Sequence, residues 1–436
     1  MSRRNGPRRV IGVTIGALVI LALGVYGPAT LLGPLPPVEV EQLSPPAPDS
    51  SVSPPVMPET GASAVTTAAD APPLAVAGES QPLPIAGITK VIAALVILEE
   101  KPLEAGRNGP AITIGIEDYR SYIDNSNAGN ATVTVLPGET WTQREMLQAM
   151  LLGSSNNHAE SLARWAFGSG ASFLDAADRW LAAHGLGSTR LADSTGLSDD
   201  NLSTATDLAT VAAVAATDPT IAELLSSAAD LGSHGRGFSN RTQYLPERGV
   251  TGISRSYTDN AGICLLYSAT VPVGEETFSF FGVFIGQPDW ETLDEAAAAL
   301  MDSAETGIQH QWLVAAGDAY ASISTLWGDT ADAVAILDRT ELGWLQEKPT
   351  STITITEFSA SPRGTVVGSV EVTGSSGTVS APLELDAAID GPSLFWRLLH
   401  PVPLVREWFA HPPFQPTPNP TPSGMPVPSE APESSP

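Results

Sequence analysis

The chain is expected to fold as an α+β protein: an antiparallel sheet covered by helices, followed by a small all-β domain. Three stretches carry that expectation. Residues 262–273 and 277–285 are consecutive apolar strands joined by a Gly-Glu-Glu turn, suited to the centre of an antiparallel sheet buried on both faces. Residues 88–98 leave almost no polar face, the pattern of a helix enclosed within a domain rather than lying on its surface. Residues 352–356 alternate strictly, 365–372 are β-branched and 379–385 complete a separate β set.

Taken in order, residues 1–9 are a basic N-terminus, and residues 10–32 carry no charge over a length that matches the ~20 residues of a membrane span. The flanking arginines predict a cytoplasmic N-terminus with the rest of the chain outside, an uncleaved single-pass anchor; a cleaved signal peptide is the competing reading. Residues 33–73 are rich in Pro, Ser and Ala and are expected to be a disordered, semi-rigid spacer holding the domain off the membrane. The first folded domain is then expected over 74–317. It should hold short strands at 111–114 and 131–135. Thr142 to Glu145 reads as a capping box opening a helix through 152, and 158–167, 173–184, 203–216 and 291–311 read as further helices. The β domain is expected over 318–392. Residues 393–411 are apolar and aromatic, broken by Pro401 and Pro403, and either pack on the β domain or lie in a membrane interface. Residues 412–436 read as a disordered Pro/Ser-rich tail.

A net charge of −27 argues against nucleic acid as a partner, because phosphate neutralisation requires a basic surface. Cys264 is the only cysteine, so the chain forms no internal disulfide, and its apolar setting reads as a small core residue. The six histidines (158, 184, 234, 310, 400 and 411) show no metal-ligand spacing, and no metal or other cofactor is expected; His158 reads as a surface helix residue.

Lys90 stands in the first turn of the enclosed helix, in a chain with three lysines against eighteen arginines. A buried ammonium is costly unless it has a partner or a task. Residues i and i+3 share a helix face, which places Gly87 beside Lys90. Downstream, Ser154-Ser155-Asn156 follows a helix opened at Pro137-Gly-Glu-Thr-Trp, and Asp193-Ser-Thr-Gly-Leu197 is followed by Asn201 and Asp207. Residues 249–262 read Gly-Val-Thr-Gly-Ile-Ser-Arg-Ser-Tyr-Thr-Asp-Asn-Ala-Gly.

In order and spacing, residues 80–310 resemble the D-alanyl-D-alanine carboxypeptidases, the low-molecular-mass penicillin-binding proteins. The resemblance implies a β-lactamase/transpeptidase-like sheet flanked by helices, an adjoining helical subdomain and a cleft between them. It assigns Lys90 to the base of the Ser-x-x-Lys motif, and Ser154 and Asn156 to the Ser-x-Asn motif. It also exposes two departures. The nucleophile position holds Gly87, and anchoring on Tyr257-Thr258 and Ala261-Gly262 puts Ser254, Arg255 and Ser256 in the substrate-binding Lys-Thr-Gly places. An alternative alignment on Val250-Thr251-Gly252 keeps the Thr and Gly but shifts the downstream anchors. The lysine is absent either way, and strand alternation is expected to turn Arg255 out of the cleft. Glycine offers no attacking oxygen. The expected function is therefore a membrane-anchored pseudoenzyme of peptidoglycan metabolism, with stem peptides or cell-wall enzymes as partners. In it Lys90 serves as a structural cation bonded to Ser154 and Asn156. The alternative is an active serine-type carboxypeptidase trimming stem peptides.

Overall fold

In a computed structural model, residues 6–21, 24, 26–44, 53–226, 238–344, 349–374 and 377–411 are described. The central sheet is five-stranded and antiparallel. Its strands are β1 (Ala62–Thr66), β2 (Ala75–Gly78), β3 (Val250–Thr258), β4 (Gly262–Val273) and β5 (Glu276–Gln287), in the order β2-β1-β5-β4-β3. Alternation sorts its side chains into two cores. Ala62, Ala64, Cys264, Leu266, Val283 and Ile285 pack on one face against helices α1 (Thr89–Glu100) and α4 (Ala205–Thr217). Val65, Ile263, Leu265, Tyr267, Phe280 and Phe284 pack on the other against α5 (Trp290–Gly307). Helix α1 is buried from Thr89 to Leu98, as its unbroken apolar run requires. Burial pushes the Cys264 thiol up to about 12, so it behaves as an inert core residue.

The helical subdomain includes α2 (Gln143–Leu151) and α3 (Asn156–Phe167). Helix α2 opens with the expected capping box: Thr142 accepts from the Glu145 amide, and the Glu145 carboxylate accepts from the Thr142 amide at 2.7 Å. The expected strand at 131–135 does not form. The Val133 amide donates to Ser155 Oγ and Asn157 Oδ1, and its carbonyl accepts from Asn157 Nδ2, so side chains take the bonds a neighbouring strand would have made. The last helix of this domain ends at Gly307, and residues 308–311 belong to a strand, Ile308–Val314, rather than to the helix.

The region 33–73 departs most from the sequence reading. The strand Glu39–Gln42 pairs with Ala319–Ser324, and β1 lies inside the first domain between β2 and β5. The domain therefore begins before residue 74, and the described parts of 33–73 are not a free spacer; residues 45–52 lie outside the described residues. The second sheet has six strands in the order Glu39–Gln42, Ala319–Ser324, Thr330–Ala335, Gly377–Leu385, Val366–Gly374, Thr350–Ile355, all antiparallel. The expected β domain thus forms with a strand supplied from the N-terminal side.

In the apolar N-terminal stretch, helices cover Gly6–Leu21 and Gly27–Leu31 among the described residues. Among the described residues no single helix is long and apolar enough to cross a membrane. Residues 393–411 form two short helices, Leu394–Leu399 and Pro401–Ala410. Trp396 meets Trp327 of the β domain edge-on at 5.9 Å, and Leu404 is fully buried. Residues 1–5 and the tail 412–436 lie outside the described residues.

Candidate active site

A cleft of about 620 Å³ opens where the start of α1, the turn between α2 and α3, the loop 193–198 and strand β3 meet. Gly87 sits in a 3-10 turn, Ala86–Ile88, that leads into α1. Ala86 before it adopts φ 45°, and Ser154 in the α2–α3 turn adopts φ 53°. Left-handed backbone at a non-glycine residue is strained and persists only where its surroundings hold it. At Ala86 the surroundings include Gly196, itself left-handed, where an added Cβ would collide with the Ala86 carbonyl oxygen.

Loop 193–198 is built around a carboxylate. Asp193 accepts from the amides of Thr195 (2.7 Å), Gly196 (2.6 Å) and Ser198 (2.8 Å) and from the Thr195 hydroxyl (3.0 Å). Asn201 Oδ1 accepts from the Ala192 amide at 2.9 Å, and its amide group donates to the Ser198 carbonyl at 2.8 Å. This frame turns the Thr195 carbonyl towards Lys90, whose Nζ donates to it at 2.6 Å. The expected bonds from Lys90 to Ser154 and Asn156 are not formed: the loop carbonyl, which the sequence pattern did not reveal, takes the ammonium instead. Burial lowers the Lys90 pKa to about 8; Asp193 opposes the shift and Arg241 adds to it. The amine is thus much closer to a working base than an ordinary lysine.

Ser154 and Asn156 line the cleft beside Lys90. Asn156 is 3% exposed and its Oδ1 has no hydrogen-bond partner among the described residues. A buried carbonyl without a partner is expensive, so this oxygen is a cost the fold carries beside the cleft.

At Gly87, the backbone amide donates to Ser256 Oγ at 3.1 Å. A Cβ placed on Gly87 would stand 2.9 Å from Ser256 Cβ, 3.3 Å from its Oγ and 3.5 Å from Lys90 Nζ. Ser256 therefore fills the space beside the nucleophile position. Ser254 is buried at the inner end of the cleft among Lys90, Val91, Met150 and Leu151. The pairing of β3 on β4 sets Ser254, Arg255 and Ser256 opposite Leu266, Leu265 and Cys264, so Arg255 leaves β3 on the side opposite its two neighbours, as alternation requires; its guanidinium lies 4.2 Å from the Trp290 ring centroid and 5.9 Å from that of Tyr244, at the rim of the cleft.

Arg241 and Trp290 also line the cleft, and sequence reasoning passed over both. Arg241 is set by its amide bond to the Leu152 carbonyl at 2.9 Å, a long-range contact with no local signature. Among the described residues, three cations, Lys90, Arg241 and Arg255, and no carboxylate line the cleft, in a chain of net charge −27. His158, expected on the surface, is fully buried. Its Nδ1 lies 2.8 Å from Ser155 Oγ, its ring meets Trp141 edge-on, and burial holds its pKa down to about 3, against a smaller opposing effect of Asp118. It is a neutral core group away from the cleft. Among the described residues no group of three or more His, Cys, Asp or Glu side chains could hold a metal ion.

A lysine at the root of a buried helix, a Ser-x-Asn turn facing it and an edge strand closing the cleft define a penicillin-binding-protein or β-lactamase-like fold. Residues 61–275 match the D-alanyl-D-alanine carboxypeptidase family, and the chain carries a domain of that family. The fold is similar to penicillin binding protein 6B from Escherichia coli (18% identity, TM-score 0.57, covering 78% of this chain and 99% of that one). It is also similar to penicillin binding protein 5 from Haemophilus influenzae (19%, 0.55, covering 78% and 100%). At these identities the likeness is one of fold. In sequence, the chain is 27% identical over 208 residues to the D-alanyl-D-alanine endopeptidase of Pseudomonas aeruginosa, covering 45% of this chain and 64% of that protein. It is 29% identical over 157 residues to the endopeptidase of the same name from Escherichia coli, covering 33% and 49%. The chain thus spans about half to two thirds of the lengths of these relatives.

Proposed function

We propose that this protein is a membrane-anchored, extracytoplasmic member of its family that binds peptidoglycan stem peptides through their terminal carboxylate and does not hydrolyse them. One observation carries the reading: the nucleophile position is Gly87, and its amide is engaged by the Ser256 hydroxyl. Acyl transfer needs an attacking oxygen and free donors for the oxyanion. Position 87 supplies neither. Loss of the nucleophile alone costs about 10^6 in kcat in a serine hydrolase of known behaviour.

Binding needs less, and the groups for it remain. Arg241 and Arg255 offer guanidinium groups suited to a carboxylate, and Ser154 and Asn156 line the same cleft. The uncharged run from Val10 to Leu32, beside the basic N-terminus, supports the membrane assignment.

The test is calorimetry and D-alanine release on the purified full chain with a stem peptide ending in D-Ala-D-Ala. Saturable binding with no release above buffer is expected. Arg255→Ala should weaken binding about tenfold, the ~1.4 kcal/mol typical of a charge-assisted contact. Turnover by the unaltered protein would end this reading, and so would an absence of binding.

A further inference from the structure

We infer that positions 87 and 256 form a single exchanged pair: the side chain absent from the helix start is replaced by one on the facing strand, and the space between them holds only one of the two. This deepens the proposed non-hydrolytic reading and rests on it for its functional half; the steric half stands on geometry alone. The backbone of Gly87 is not in the left-handed region, so glycine is not required there by conformation. What excludes a larger residue is the opposite strand. Of the three heavy atoms nearest to a Cβ on Gly87, two belong to Ser256, and the approach of 2.9 Å to Ser256 Cβ is closer than side chains tolerate. Ser256 stands where the resemblance expects glycine, so these two of the departures from the family pattern are spatial neighbours and mutually compensating.

The exchange also has a chemical consequence. The amide at a nucleophile position is a donor for the oxyanion that develops when a carbonyl is attacked. In this chain that amide donates to Ser256 Oγ instead. Restoring an oxygen at 87 without clearing 256 leaves the new side chain displaced and the donor occupied. Clearing both faults requires a change at both positions, with Lys90, Ser154 and Asn156 already lining the cleft.

The experiment is a double-mutant cycle on the full chain with Gly87→Ala, Ser256→Gly and the two together, read by thermal midpoint. Gly87→Ala should lower the midpoint by several degrees, and adding Ser256→Gly should recover more than half of that loss. Additive shifts would overturn the inference, because they would mean that the two sites do not share space. A second cycle with Gly87→Ser reads covalent labelling by a fluorescent penicillin. The introduced hydroxyl adds to the lactam carbonyl, the ring C–N bond opens, and the hydroxyl proton passes by way of Lys90 to the ring nitrogen. Gly87→Ser with Ser256→Gly should label at least tenfold faster than Gly87→Ser alone; equal labelling of the two would again overturn it. D-alanine release by the unaltered protein would instead sink the proposed function, leaving the stability cycle to judge the steric pair separately.

Discussion

At the scale of single residues, the cleft holds a lysine whose proton is destabilised by its surroundings. In the unfolded chain Lys90 titrates near 10.5, and in the fold burial brings it to about 8. Below pH 8 both states carry the proton and the full cost of enclosing the charge is present. Between pH 8 and 10.5 the unfolded state binds more protons than the folded one, so stability rises with pH in that window. The gain reaches about 3 kcal/mol, from 1.36 kcal/mol per unit. Urea denaturation of the wild type and Lys90→Met at pH 7.5, 9 and 10.5 tests this. The difference between the two should shift by that amount in favour of the wild type as pH rises, and parallel curves would show that Lys90 is not buried as a charge. The residues legible in the sequence here were those with local spacing: Gly87 against Lys90, Ser154 against Asn156, and the strand segment 254–256. Arg241, Trp290 and the Thr195 carbonyl were not legible, because each reaches the cleft through contacts between distant segments. His158 was misread for a related reason. Its helix carries the polar neighbours Asn157 and Glu160, but Trp141 and Ser155 enclose the ring from outside the helical pattern.

At the scale of elements, the strongest signals were long apolar runs and caps. Helix α1, the two central strands β4 and β5 and the capping box of α2 all appear where their patterns placed them. Strand β1 did not announce itself. Its sequence, Ala-Ser-Ala-Val-Thr, buries all five residues between two neighbours while offering little apolar bulk, and proline-rich composition precedes it. Pairing on both edges stabilises it, and a sequence window sees neither partner. The elements should differ in what their loss costs. Ile92 is fully buried in α1, so Ile92→Ala should destabilise by ~3 kcal/mol through lost transfer energy and a cavity. Thr142→Ala, which removes one cap bond at the start of α2, should cost ~1 kcal/mol. Equilibrium denaturation gives both numbers, and a reversed order would mean that α1 is less central than its burial implies.

At the scale of the whole molecule, the two ends of the described chain meet. The strand Glu39–Gln42 joins the second sheet only seven residues after Leu32, and the Tyr26 hydroxyl donates to the Leu398 carbonyl at 2.6 Å. Arg397 Nη1 reaches the carbonyls of Leu31 and Gly33. The C-terminal helices therefore sit against the exit of the apolar N-terminal stretch. One side of them faces protein through Trp396 and Leu404. The other leaves Phe395 73%, Val402 78% and Phe409 69% exposed, and Leu32 is 82% exposed. In the membrane-anchored reading proposed above, that apolar side lies against the bilayer surface and the β domain rides close to it, rather than at the end of a spacer. The single, buried Cys264 makes this testable by thiol accessibility. In the full chain reconstituted into vesicles, Val402→Cys should react with a membrane-impermeant maleimide at least tenfold more slowly than Ala105→Cys in an exposed loop. In detergent-free water-soluble chain lacking residues 1–32, the two should react at similar rates. Equal reactivity in vesicles would place the apolar side in water and hold the β domain away from the bilayer.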